Sequence, residues 1–131
     1  MAKLIHAMIR VLDLKRSIEF YDGALGACET HRLEFPDFTL VYLREPESGF
    51  EIELTANRSR TEPYPLGEAY GHLAVCVDDL DREHARFRGA SYGPGDIKEM
   101  KKDGALVARF FFVTDPDGYK IEVLQRQGHY Q

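Results

Sequence analysis

Tryptophan is absent from this sequence, cysteine occurs twice, and no apolar run is long. A helix crossing a bilayer needs about 20 consecutive, mostly apolar residues, so no membrane span is expected. Cys28 and Cys76 are too few for a disulfide framework and fit a reducing compartment, which makes a cytoplasmic location the expectation. The opening residues Met1-Ala2-Lys3-Leu4-Ile5-His6 lack the apolar stretch and cleavage site of a secretory leader, so none is expected there. Positive charge is in the minority: 17 Lys and Arg against 22 Asp and Glu give a formal net charge of −5. That balance argues against nucleic acid or an anionic membrane surface as a partner, while leaving room for a local basic pocket. What remains is 131 residues, 44% hydrophobic and 30% charged. This is the composition of an ordinary globular domain that needs neither disulfide nor metal merely to fold.

Self-similarity organises the chain. His6-Ala7-Met8-Ile9-Arg10-Val11-Leu12-Asp13-Leu14 returns as His72-Leu73-Ala74-Val75-Cys76-Val77-Asp78-Asp79-Leu80. Gly49-Phe50-Glu51-Ile52-Glu53-Leu54 returns as Gly118-Tyr119-Lys120-Ile121-Glu122-Val123, with a small insertion in the second copy. Residues 1–131 are therefore expected to form a single domain of two modules, about 4–57 and 71–125. The joining stretch, about 58–70, carries Pro63, Pro65 and Gly67 and should be irregular.

Each module has the same coarse contents. Ile5, Ala7, Ile9 and Val11 alternate with His6, Met8 and Arg10 at the period of a strand. Asp13 is placed to cap a helix with apolar residues at Leu14, Ile18, Tyr21 and Leu25, and Gly26 to end it. Asp79 does the same for a helix with Leu80, His84 and Phe87 on one side. Two strand-like runs follow in each copy: Phe38 to Leu43 and Phe50 to Thr55, then Leu106 to Val113 and Tyr119 to Leu124. The second pair is joined by Asp115-Pro116-Asp117-Gly118, where Pro116 presets φ and Gly118 tolerates a positive φ. The expected unit is βα plus two or three strands, twice over, an α+β chain.

The repeat singles out four side chains. His6 and His72 occupy matching points on the first strand of each module, and Glu53 and Glu122 on the last. Strand alternation puts Ile52, Leu54, Ile121 and Val123 against the helices and the histidines and glutamates on the opposite, concave face. One histidine or glutamate on a strand is usually a solvated surface residue. The matched doubling instead supplies two imidazoles and two carboxylates, a donor set suited to a first-row divalent metal with positions left open.

These residues carry a resemblance. His6-x-Met8-x-Arg10-Val11, Ser17-Ile18-Glu19-Phe20-Tyr21, Leu25-Gly26, Ile52-Glu53-Leu54-Thr55-x-Asn57, Gly71-His72 and Asp115-Pro116-Asp117-Gly118-Tyr119-x-Ile121-Glu122 together resemble glyoxalase I (lactoylglutathione lyase), of the vicinal oxygen chelate superfamily. The resemblance implies tandem βαβββ modules forming a cupped mixed sheet. It also implies a homodimer whose metal sites lie between subunits, His6 and Glu53 from one chain and His72 and Glu122 from the other. The implied reaction converts the hemithioacetal of methylglyoxal and glutathione, the co-substrate, into S-lactoylglutathione by proton transfer through an enediolate. Glu122 is the expected base, with Glu53 as metal ligand and second base. Arg10 and Asn57 match positions that contact glutathione. A histidine rather than glutamine at position 6, with the short chain, resembles the bacterial enzymes activated by nickel or cobalt rather than zinc.

Some residues fit less well. Gly95 to Arg109 exceeds the corresponding bacterial loop and carries Lys98, Lys101, Lys102 and Arg109; it reads as a solvated charge run, with closure of Lys101 or Lys102 over the thiol conjugate as the alternative. Arg58 stands where the family carries an aromatic residue. His84 reads as a packed histidine, and His31 and His129 have no repeat partner. Cys28 and Cys76 read as structural, Cys76 standing where the first module has Arg10. Two other functions stay open. One is another metal-dependent superfamily enzyme (an epimerase, thiol transferase or dioxygenase), and the other a metal-free, small-molecule-binding resistance module.

Overall fold

Alternating side chains and capped amphipathic helices build the same unit twice. In the computed structural model, which describes residues 1–131, the first unit spans Met1–Pro65 and the second Leu66–Gln131. The first contains β1 (His6–Arg10), α1 (Leu14–Leu25), β2 (Cys28–Glu34), β3 (Phe38–Arg44) and β4 (Glu51–Asn57). The second contains β5 (Leu73–Val77), α2 (Leu80–Gly89), β6 (Lys98–Lys102), β7 (Ala105–Thr114) and β8 (Lys120–Gln125). Each is βαβββ, closed into a four-stranded mixed sheet in the order β1-β4-β3-β2 or β5-β8-β7-β6. The first strand of each unit lies parallel to the last, and the remaining pairs are antiparallel.

The caps fall where local chemistry puts them. Asp13 and Asp79 are extended N-cap residues whose carboxylates accept from the Arg16 and Arg82 backbone N–H, each at 3.0 Å. α1 ends at Gly26 with φ +67°, and its last carbonyls accept from the Gly26 and Ala27 N–H. The buried stripe of α1 is rotated from the expected one: Ser17, Phe20, Tyr21 and Ala24 are buried, whereas Leu14, Ile18 and Leu25 are half-buried. Two small residues, Ser17 and Ala24, let the helix lie close to its sheet, a fit that hydrophobicity alone does not signal.

Each core lies between helix and sheet. In the first unit Ile9, Val41, Leu43, Ile52 and Leu54 face Phe20 and Tyr21; in the second Phe111, Val113, Ile121 and Val123 face Leu80 and Phe87. Phe111 packs edge-on against both Phe87 (5.4 Å) and His84 (5.0 Å). His84 is thus packed as expected, with Nε2 2.8 Å from the Gly95 carbonyl oxygen. Asp115, 4% exposed, accepts at Oδ1 from the Asp117 and Tyr119 N–H at 2.9 and 2.8 Å, which locks the turn leading into β8.

The Gly95–Arg109 segment is corrected by the structure. It is not a loop: Lys98–Lys102 is the outer strand of its sheet, joined to β7 through Asp103 and Gly104, both at positive φ. Every residue of β6 is exposed, so its lysines are solvated, as the charge run implies. Arg109 is not part of that run. It forms a two-pronged pair with Asp81 of α2 at 3.0 and 3.1 Å, and this hydrogen bonding holds the Asp81 carboxyl below its ordinary range. β2 is likewise an outer, fully exposed strand rich in charge, which blunts an open sheet edge. Cys28 is exposed rather than structural; its thiol donates to Asp22 at 3.0 Å, and that hydrogen bond, first among the causes, pushes its pKa up. Neither helix is long and apolar enough to cross a membrane.

Candidate functional site

Diagonal neighbours across a parallel strand pair bring histidine and glutamate together in both units. β1 pairs with β4 so that Met8 opposes Glu53, leaving His6 one step along the same face. His6 Nε2 lies 3.2 Å from Glu53 Oε2. β5 pairs with β8 so that Ala74 opposes Glu122, and His72 Nε2 lies 3.0 Å from Glu122 Oε2. The histidines are 34% and 42% exposed and the glutamates 13% and 16%, so each pair is a carboxylate held low beside a reachable imidazole. An imidazole nitrogen and a carboxylate oxygen about 3 Å apart match the separation of adjacent ligands on one ion, since each bond to zinc-sized metals is about 2.0–2.2 Å. The chemistry of the donors fits a divalent first-row metal, and each unit by itself contributes two of them.

The surroundings differ between the units. In the first, Tyr42 of β3 stands opposite Glu53 and its ring meets His6 edge-on at 5.7 Å. In the second, Phe112 of β7 stands opposite Glu122 and meets His72 edge-on at 5.4 Å. Burial first, and then the nearby carboxylates of Glu53 and Glu51, push the Tyr42 hydroxyl pKa up. Thr55 also donates to Glu53, through Oγ1 to Oε1 at 3.3 Å.

Glu51 shares this face but is tied up. It accepts from Arg44 Nη2 at 2.7 Å and from Thr30 Oγ1 at 3.1 Å. Burial alone would raise its carboxyl, but the hydrogen bonds from Arg44 and Thr30 and the Arg44 charge outweigh that and hold it below its usual value. Sequence reasoning passed over Tyr42, Thr55 and the Glu51 cluster, because their relation to Glu53 depends on strand register, which composition does not carry.

Arg10 lies on the face of His6, opposite Thr55. Asn57 ends β4 and donates from Nδ2 to the Tyr64 hydroxyl at 3.0 Å. Asn57 also lines an open pocket of about 430 Å³ whose basic residues are Lys15, Arg58 and Arg60; His6, Glu53 and Arg10 do not line it. Arg58 is spent partly on the Phe35 carbonyl (3.2 Å), while Arg60 lies over the Tyr64 ring at 4.5 Å. Cys76, in the place of Arg10, is a half-buried free thiol.

The doubled βαβββ unit is shared with a known group. The profile of the glyoxalase/bleomycin resistance protein/dioxygenase superfamily matches residues 3–123. The chain belongs to this superfamily. Within it, the lactoylglutathione lyases of Neisseria meningitidis and Haemophilus influenzae are each 39% identical to this chain over 95% of its length, and over 91% and 93% of theirs. Among solved structures, the trypanothione-dependent glyoxalase I of Leishmania major is 37% identical, with a TM-score of 0.77, covering 95% of this chain and 87% of that one.

Proposed function

We propose that this superfamily member is a metal-dependent lactoylglutathione lyase, converting the hemithioacetal of methylglyoxal and glutathione to S-lactoylglutathione. The observation that carries the reading is the repeated His–Glu pair, His6–Glu53 at 3.2 Å and His72–Glu122 at 3.0 Å, in a chain 39% identical to lactoylglutathione lyases. The reaction moves a proton between adjacent carbons, and so needs a base in reach of both and a means of stabilising the enediolate between them.

His6, Glu53, His72 and Glu122 are the residues that would hold the metal. A divalent ion bound there supplies Lewis acidity to the substrate oxygens. Glu122 is the base that takes the proton from one carbon and returns it to the next, and Glu53 serves as ligand and second base. Arg10 and Asn57 receive glutathione, the guanidinium suited to pairing with a carboxylate. The basic pocket beside Asn57 suits the same anionic thiol. Two donors per unit fall short of the three or four that a metal takes from a protein, and the family resemblance supplies the remaining pair from a second copy, making the working form a homodimer. Nickel or cobalt is favoured over zinc, again from the resemblance carried by His6. Both cysteines are free thiols, in keeping with a reducing cytoplasm.

The test is thioester formation from methylglyoxal and thiol, using metal-stripped protein reloaded separately with nickel, cobalt and zinc. Glutathione and trypanothione would be run in parallel. Turnover with glutathione, restored by nickel or cobalt but not zinc, is the expected result. Metal uptake without turnover on either thiol would assign the site to a different substrate.

A further inference from the structure

A charged cluster on the face of the His6–Glu53 pair is left unexplained by the donor set. Glu51 stands directly opposite His6 on β1 and opposite Arg44 on β3. Its Oε1 accepts from Arg44 Nε at 3.1 Å, Arg44 Nη2 at 2.7 Å and Thr30 Oγ1 at 3.1 Å. Three donors meet one oxygen, so Glu51 Oε2 and Arg44 Nη1 keep their hydrogen-bonding capacity. The Glu51 side chain is 16% exposed and that of Arg44 52%, so both can be reached from solvent. Repetition does not account for the cluster. In the second unit Lys120 stands at the place of Glu51 and Thr114 at that of Arg44.

The order of residues along β4 shows which part of a substrate the cluster meets. Side chains on one face of a strand recur every second residue, about 6.6 Å apart. On β4 that face carries Glu51, Glu53, Thr55 and Asn57 in turn, with Arg10 opposite Thr55. Arg10 and Asn57, the proposed thiol contacts, lie to one side of Glu53, and Glu51 with Arg44 to the other. In the hemithioacetal, the thiol and the aldehyde's own substituent hang from opposite ends of the two carbons that exchange the proton. With those carbons at His6 and Glu53 and the thiol towards Asn57, the substituent is directed at Arg44 and Glu51.

We propose that Arg44 and Glu51 are specificity-determining residues that receive the aldehyde's substituent and favour 2-oxoaldehydes with a hydroxyl on the carbon next to the ketone. The inference rests on the lyase reading for which end of the substrate is which. One hydroxyl can accept from Arg44 and donate to Glu51 Oε2 at once, and hydrogen bonds to charged groups are the stronger class. A methyl group uses neither. A phenyl ring laid over the pair strips water from both charges and replaces none of its hydrogen bonds.

The thioester products give a direct readout. S-lactoyl-, S-glyceroyl- and S-mandeloylglutathione present a methyl, a hydroxymethyl and a phenyl group at this end. Their dissociation constants are measured by calorimetry on the full-length, nickel-loaded protein. S-glyceroylglutathione should bind about tenfold more tightly than S-lactoylglutathione, the gain expected of one hydrogen bond to a charged group, and S-mandeloylglutathione most weakly. The paired variant Arg44→Met with Glu51→Leu keeps the net charge and much of the bulk. It should erase the hydroxyl's gain and invert the order of the glyceroyl and mandeloyl thioesters. An ion pair with a merely structural role would weaken all three alike or none, and either result overturns the inference. Should the paired variant not fold, equal affinity of the wild type for the lactoyl and glyceroyl thioesters overturns it as well. Turnover of none of the corresponding hemithioacetals refutes the lyase reading, while the binding order still decides the role of Arg44 and Glu51. A protein that binds none of the three thioesters overturns both.

Discussion

Replacing Glu122 by glutamine asks the sharpest question of the site. The amide has the shape of the carboxylate, and the side chain is 16% exposed beside His72 and across from Phe112, so the fold should accept it without a cavity or clash. What is lost is the basic lone pair and the negative charge 3.0 Å from His72 Nε2. A positioned general base contributes about 10²–10⁴ in rate, equivalent to roughly 3–5 kcal/mol of activation free energy. The loss should fall on kcat, since Arg10 and Asn57, the proposed thiol contacts, are untouched; an interaction made only in the transition state lowers kcat and kcat/KM together.

The companion variant Glu53→Gln separates ligand from base. Glu53 sits among His6, Thr55 and Tyr42, so its replacement should weaken metal retention first and cost activity that excess metal partly restores. Initial rates of thioester formation, measured by ultraviolet absorbance over a range of metal concentrations, distinguish the two. Glu122→Gln retaining more than about a tenth of wild-type kcat at saturating metal would refute the assignment of the base. The same refutation follows if excess metal rescues Glu122→Gln and not Glu53→Gln.

Mixing His6→Ala protein with His72→Ala protein, each inactive alone, should regain activity as subunits exchange, because one of the two sites in a mixed dimer is then intact; no recovery would place all four ligands on a single chain. Gly26→Ala should destabilise by about 1–2 kcal/mol in a denaturant melt: nothing lies within 4 Å of the added Cβ, so the cost is that of a φ of +67° alone. Asp115→Ala should cost about 1.5–3 kcal/mol, since it removes a buried charged acceptor of two backbone N–H groups. The Glu51 carboxyl is held below its ordinary value, so its pairing with Arg44 stabilises the fold above the usual carboxylate range and is lost as pH falls through the lowered value. The melting temperatures of wild type and Glu51→Gln should accordingly differ at pH 7 and converge in acid.

Much of the fold is legible in the sequence because its signals are local. Asp13 and Asp79 act as caps through their own side chains, Gly26 ends α1 because few other residues adopt its φ, and Asp115-Pro116-Asp117-Gly118 makes a turn from its own chemistry. β2 and β6 are harder to read. Their residues are all exposed, so neither strand carries the apolar alternation that betrays a half-buried one. Asp103-Gly104 was the available clue to β6, a two-residue hairpin signal inside what reads as a charge run.

The site divides in the same way. His6, Glu53, His72 and Glu122 stand out because repetition puts identical chemistry at matching positions, and alternation then puts each pair on one face. Tyr42 does not stand out, because repetition conceals it. Against Phe112 it is another aromatic residue in a strand, and only the β3–β4 register sets it opposite Glu53. A doubled fold supplies a symmetric donor set, and the two copies diverge around it. The departures from the repeat, Tyr42 against Phe112 and Thr55 against Leu124, lie beside the conspicuous residues rather than among them, and only the strand register relates them to the two glutamates.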